Sequence, residues 1–354
     1  MRPACSQAVR QQTGGYEIHQ KIQVNLLLAR RWCTVGTRRD VNTKNIFAFF
    51  CFVYRVYPES WVDCDDGRRL PLEIYFLRQI HHEHIVSVIE CLENDHYLQL
   101  VMEKHGFGMD LFEFIEKSNG VAEPLAAYIF KQILDALKYL HANGILHRDI
   151  KDENVVIDDR FHAKLIDFGS AARLSDQPFS NFCGTFEYCS PEVLKGSPYR
   201  GPELEIWAMG ITLYVLVMGR MPFAGIEEIL REEVVFPDDA SEPLCHLLSR
   251  MLHRDVQMRC QVEDALAHSW INQPVDIENY CFYSVCDMTR SNIEFQTSKY
   301  IVEDSPVLAT STPYKRSLPF SQKDNQSSIF EIHDESVHFL VPELVFHDAS
   351  NHCE

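Results

Sequence analysis

Residues 147–157 read HRDIKDENVVI, residues 164–171 read KLIDFGSA and residues 183–192 read CGTFEYCSPE. Each stretch sets acidic, amide or basic side chains, among them Asp149, Lys151, Glu153, Asn154 and Asp167, beside short apolar runs. Taken singly, His-Arg-Asp or Asp-Phe-Gly carries little information, because a tripeptide recurs by chance. Three such stretches in this order and spacing do not, and the alternative reading, ordinary polar residues of surface loops, is set aside.

Upstream, PLEIYFLRQI (71–80) repeats Leu72, Phe76 and Ile80 at a four-residue step, the mark of an amphipathic helix, and carries Glu73. HIVSVIECLEN (84–94) and HYLQLVMEK (96–104) predict two strands joined by a turn at Asn94-Asp95. The pattern then turns helical in DLFEFIEKS and in EPLAAYIFKQILDALKYLHANG, which ends in Asn143-Gly144 as a helix C-terminus should. Helical text persists from 200 to 271. A strand-rich part therefore precedes a helix-rich part.

The 354 residues, 46% of them hydrophobic, suffice for one large core or two modest ones. A formal charge of −18 speaks against a nucleic-acid surface, which needs a basic stripe, and suits a cationic partner. Charge is uneven: residues 1–59 hold nine Lys/Arg against three Asp/Glu, 60–271 hold 19 against 35, and 272–354 hold five against 13. The 12 cysteines form no Cys-x-x-Cys pair and no signal-like segment opens the sequence, which predicts free thiols and a cytoplasmic location, with the nucleus also open. The longest apolar run, IFAFFCFVY, is about half of the roughly 20 residues a spanning helix needs, so no membrane span is expected.

These stretches resemble the eukaryotic Ser/Thr protein kinase family over residues 59–271, which implies an α+β, bilobal kinase fold using ATP and Mg2+. The resemblance implies that Asp149 accepts the substrate hydroxyl's proton, that Lys151 offsets charge on the transferring phosphoryl group, and that Asn154 and Asp167 supply the hard oxygens that hold magnesium. It further assigns Met102 and Glu103 to gatekeeper and hinge, with backbone groups from Glu103 to His105 meeting adenine, and Asp110 to the ribose or a substrate arginine. His147, Phe168 and Gly169 would serve the hydrophobic spine and its turn, Arg148 and Thr185 the activation segment, and Glu192 would pair with Arg259. Glu153 occupies a place where basophilic kinases carry an acid for an arginine before the phosphoacceptor. VMEKHGFGMDLFEFI, FCGTFEYCSPEVL and YRGPELEIWAMGITLY are most similar to the PAS kinase branch, which shares the unusual Glu205 two residues before Trp207. The 58 residues before the match are too few for a sensory PAS domain of roughly 100, so none is expected in them. Asn181 stands where many kinases phosphorylate, so the segment is expected to order without phosphate there.

One part of the pattern is missing. A kinase covers the phosphates with a glycine-rich loop and grips them with a lysine that pairs with the helix glutamate, here Glu73. Residues 46–58 read IFAFFCFVYRVYP, with neither, and no lysine lies between Phe47 and Pro71. The expectation is an atypical or shortened small lobe (59–104) on an intact large lobe (105–271), preceded by a 1–58 segment of little family likeness and followed by an acidic, Ser/Thr-rich 272–354 tail without fixed structure. Lys44 lies before the vestigial loop and makes a poor substitute. Three readings stay open: a truncated or misassembled product of an active kinase locus, a pseudokinase acting as an interaction scaffold, or a kinase in which another residue completes the clamp. His81-His82-Glu83-His84 is not read as a metal site, because four consecutive residues cannot easily converge on one ion. Cys183, Cys189, Ser305-Pro306 and Thr312-Pro313 are read as ordinary composition.

Overall fold

The computed structural model describes residues 33–39, 46–55, 61–63, 69–93, 97–103, 105–118, 120–287 and 316–318. In chain order the elements of the smaller part are β1 (Cys33–Arg39), β2 (Ile46–Arg55), β3 (Trp61–Asp63), β4 (Arg69–Pro71), α1 (Leu72–Leu77), β5 (Val88–Glu93) and β6 (Tyr97–Met102). The larger part comprises β7 (Met109–Asp110), α2 (Leu111–Lys117), α3 (Glu123–Ala142), β8 (Ile145–Leu146), β9 (Val155–Ile157), β10 (Ala163–Leu165), β11 (Ala172–Arg173), α4 (Pro191–Leu194), α5 (Gly201–Met218), α6 (Ile226–Arg231), α7 (Glu242–Met251), α8 (Val262–Ala267) and α9 (Phe282–Val285). A last strand, β12 (Arg316–Leu318), follows.

The smaller part is built on an antiparallel sheet of order β1-β2-β6-β5-β12. The predicted hairpin is its β5–β6 pair, with Glu93 opposite Leu98. The expected boundary at residue 58 does not fall there: β2 pairs with β6 from Phe50↔Met102 to Arg55↔Tyr97, so β1 and β2 belong to the same sheet as β5 and β6. IFAFFCFVY lacks the alternation that betrays a half-buried strand, and its pairing with β1 and β6 identifies it. Of the tail, 277–279 form a 3-10 turn and α9 follows, with Phe282 buried and stacked on Phe114 at 5.7 Å, so the ordered part extends past 271. β12 pairs with β5, Ser317 opposite Leu92.

Two helices form the core of the larger part. α3 buries Leu125, Ile129, Phe130, Ile133, Leu137 and Leu140 along one face. α5 is apolar all round and buried along most of its length, as an internal helix must be, and ends at Gly219 in the left-handed conformation. It is also the one helix among the described residues whose length and composition would let it cross a membrane, and its place is inside this core. Gly201 opens it because a Cβ there would lie 2.1 Å from Leu146 Cδ1, which brings α5 against β8 and the loop that follows it. The two parts are also pinned directly: Leu165 N–H donates to His84 O (2.9 Å) and Val86 N–H to Leu165 O (3.1 Å). His84 Nδ1 lies 3.2 Å from Ala163 O, and His82 packs on Tyr139, so two members of the histidine cluster have structural contacts.

Candidate active site

The loop after β8 carries His147, Arg148 and Asp149. Arg148 has φ of +67°, a conformation that costs a residue with a side chain and persists only where its surroundings enforce it. The enforcement comes from α5. Glu205 is wholly buried, and its Oε1 accepts both the His147 and Arg148 amides at 2.5 and 2.7 Å. The residue noted in the sequence as a departure is therefore the acceptor that shapes this loop. His147 turns its ring onto Phe168 (4.8 Å between centroids) and its Nε2 onto Ile166 O (2.9 Å), joining the loop to the Asp167-Phe168-Gly169 turn.

Around Asp149 the polar groups close into one network. Thr185 Oγ1 donates to Asp149 Oδ1 (2.8 Å) and accepts from Lys151 Nζ (2.7 Å). Lys151 lies 3.3 Å from both Asp149 and Glu153. Burial alone would lower the Lys151 pKa, but the Asp149 and Glu153 charges outweigh it and raise it, so the side chain is a fixed cation. Asn154 Nδ2 donates to Asp149 O and Oδ2, at 2.8 and 3.1 Å. Four residues 36 positions apart at the extremes thus share one cluster, which holds Asp149 by three donors and leaves it little rotational freedom.

Asp167 also has positive φ (+63°), and its Oδ1 accepts the Gly169 amide at 3.1 Å. The Asn154 amide spends its N–H group on Asp149, and its Oδ1 remains as an acceptor. With the Asp167 carboxylate this makes a hard-oxygen pair of the kind magnesium takes from a protein when substrate phosphates complete its shell. Among the described residues no group of three or more His, Cys, Asp or Glu could hold a metal alone, which is the same donor economy. The residues present fit the ion.

The expected nucleotide side fits less well. Glu103 follows β6 at the crossing between the two parts, with its amide donating to Ser87 O (3.0 Å) and its carboxylate taken by Lys164 Nζ (2.6 Å). His105 directs Nε2 to His162 O at 2.7 Å, and burial outweighs that hydrogen bond and the nearby acids and lowers its pKa. Asp110 caps α2, accepting the Glu113 amide at 2.7 Å, and burial pushes its pKa up to about 6. Glu73 is buried on α1. The strand that pairs with β6 on the side away from β5 is β2, and it contains no lysine and no glycine.

The other expected pairs are supplied by distant segments. Arg259 forks onto Glu192, Nη1–Oε1 2.8 Å and Nη2–Oε2 2.9 Å, in a site with almost no solvent. Arg148 donates Nη2 to Asn181 O (3.2 Å) and Tyr199 OH (3.3 Å) and covers the Phe179 ring at 4.5 Å. Sequence reasoning missed Tyr188, whose OH donates to buried Asp152 at 2.5 Å, and His141, which meets Glu205. Tyr188 lies within CGTFEYCSPE and His141 at the end of the long helical stretch, but nothing in the spacing of either stretch singles them out. Cys189 is buried and its thiol is pushed up to about 12, so it is not a ready nucleophile.

Comparison with known proteins agrees with this geometry. The PAS domain-containing serine/threonine-protein kinase of Mus musculus is 45% identical over 244 residues, 69% of this chain and 18% of the mouse protein. Serine/threonine-protein kinase ppk6 of Schizosaccharomyces pombe is 39% identical over 62% of this chain and 28% of its own length, and PSK1 of Saccharomyces cerevisiae 38% over 62% and 17%. The chain spans less than a third of each of these relatives. The protein kinase domain family matches residues 35–271, a span that includes the sheet from β1 onward as well as the loops around Asp149 and Asp167, and the chain belongs to that family.

Proposed function

We propose that this chain is a PAS kinase-like catalytic domain, built to transfer the γ-phosphoryl group of ATP to protein Ser or Thr hydroxyls, with weak turnover. The observation that carries the reading is the closed Asp149, Lys151, Asn154 and Thr185 network, which holds a carboxylate ready to accept a hydroxyl proton beside a fixed cation. Asn154 and Asp167 would hold Mg2+, which supplies charge neutralisation on the phosphates. Lys151 keeps its charge next to the developing negative charge, and Glu205 keeps the loop backbone in place.

The weakness follows from the small lobe, which we read as atypical. Phosphate approach needs glycine backbone and a lysine, and β2 has neither. A single lost group of a preorganised electrostatic site is worth about 10²- to 10³-fold in rate. That observation favours a second reading, a pseudokinase scaffold. A thermal-shift titration with Mg-ATP, on the wild type and on Asp167→Asn, tests between them. A shift that the variant loses supports nucleotide use through the metal site. A folded protein with no shift supports the scaffold.

Two finer features belong to the same proposal. Glu153 is half exposed beside Lys151 and suits a basic residue upstream of the phosphoacceptor, and peptide arrays with no basic bias would refute this. Arg148 is engaged by Asn181 O, Tyr199 OH and the Phe179 ring, so the activation segment orders without a phosphate. Ser180→Ala is expected to keep wild-type turnover, and a large loss would contradict the reading. Cys183, Cys189, Cys245, Cys260, Cys281 and Cys286 are thiols, which suits a reducing compartment.

A further inference from the structure

Glu205 has a third neighbour, and it is a group that titrates. Its Oε1 takes the two catalytic-loop amides, while its Oε2 lies 2.5 Å from His141 Nε2. The side chains are 13% and 0% exposed, so water contributes little to either. His141 stands in the last turn of α3 and Glu205 near the start of α5, 64 residues apart. The charged groups that face the imidazole are Glu205 and Glu203 from α5 and Glu263 from α8, all of them acids. The His147 ring faces elsewhere, onto Ile166 O and Phe168.

A buried carboxylate is tolerated when it is both hydrogen-bonded and charge-compensated. The two amides provide the first. Among the described residues His141 is the cation placed to provide the second to Glu205 Oε2. The compensated carboxylate then holds the His147 and Arg148 amides, and Arg148 is the residue at +67°, directly before Asp149.

We infer that His141 is a positioning residue: its protonated imidazole fixes Glu205, which in turn holds the catalytic loop in its unusual backbone conformation, so that the order of this loop depends on pH. Burial alone would lower the His141 pKa. The hydrogen bond and charge of Glu205, with Glu263 and Glu203 adding, outweigh it and raise it above the ordinary histidine value. The sign follows from that direction. Stabilisation of the loop is fully present below the ordinary histidine pKa of about 6.5 and is lost as pH rises through the higher folded value.

The test uses the full chain in three forms: wild type, His141→Gln, which removes the charge, and His141→Arg, which makes it permanent. Hydrogen exchange of the peptide covering 145–151 is followed from pH 6 to 9 and corrected for intrinsic exchange. The wild type is expected to lose protection at least fivefold as pH rises. His141→Gln should be weakly protected throughout, and His141→Arg should hold its protection across the range. A side chain that only packs would give parallel pH profiles in the wild type and His141→Arg, and that result overturns the proposal. If His141→Gln does not fold, the wild-type and His141→Arg profiles still decide. The kinetic counterpart rests on the proposed kinase activity: His141→Gln should lower kcat about tenfold with KM for peptide unchanged. Wild-type turnover below detection would count against that activity, whereas the exchange profile reads the His141 inference independently.

Discussion

Replacing Arg259 by alanine removes a guanidinium whose surroundings are almost entirely protein. Its Nη1 and Nη2 bond both oxygens of Glu192, Nη1 also bonds Glu203 O (2.7 Å), and Nε bonds His253 O (3.0 Å). Its plane lies 5.2 Å from the Trp207 ring centre. The arginine side chain is 0% exposed and that of Glu192 15%, so truncation strands a buried carboxylate and two carbonyls. Breaking one side of such a pair costs about 3–5 kcal/mol, against a total domain stability of roughly 5–15 kcal/mol. At about 2–4 °C per kcal/mol for a domain of this size, the melting temperature should fall by roughly 6–20 °C. The pH dependence adds a second signature. Burial by itself would raise the Glu192 pKa, but the Arg259 hydrogen bonds and charge lower it overall. The pair's contribution is therefore present above the ordinary carboxylate pKa and is lost as pH falls through the depressed folded value. In Arg259→Ala the buried carboxyl takes up a proton more readily, so the gap between variant and wild type should narrow from pH 7 to pH 5. Urea denaturation at both pH values measures this, with the double variant Glu192→Leu/Arg259→Leu expected to recover much of the loss. A single-variant loss under about 1 kcal/mol at pH 7, or a double variant no more stable than the single one, would refute the reasoning.

Two further outcomes are expected. Asp110→Asn keeps the α2 cap, because both side chains accept the N3 amide, but removes a carboxyl whose pKa burial raises to about 6. A raised folded value means stability present at low pH and lost as pH rises through it, so the variant's melting temperature should gain on the wild type between pH 4 and 7; a constant difference would contradict this. Tyr188→Phe leaves buried Asp152 without the hydroxyl that bonds it, at a cost of about 1–3 kcal/mol, read as a shift in denaturation midpoint with an unchanged slope.

Much of the large lobe is legible in the chain itself. Asp149, Lys151 and Asn154 lie within six residues of one another, and their neighbours in the fold are largely their neighbours in sequence. The β5–β6 hairpin is local as well, and its strand composition and turn residues suffice to predict it. Glu192 and Arg259 are 67 residues apart, and only likeness to a family joins them in advance; the fold brings them to 2.8 Å.

What the tertiary structure decided is the small-lobe sheet, the extent of the ordered tail and the loop support beneath Asp149. IFAFFCFVYR has no alternation to mark it as a strand, and its identity comes from hydrogen bonds to β6, more than 40 residues later. α9 is too short to be stable alone and is ordered by burying Phe282 against Phe114 and Phe161, from two separate segments. The capping by Asp110 was not legible either, because the α2 amide that it accepts needs a partner only once the turn into that helix has formed. Glu205 was visible as an unusual letter, but its work with His141, His147 and Arg148 was not, since a buried acceptor is defined by the donors that folding brings to it. Sequence by itself determined which chemical groups the catalytic loops contain. Long-range burial, which withdraws those groups from water and obliges each to find a partner, decided how they are held.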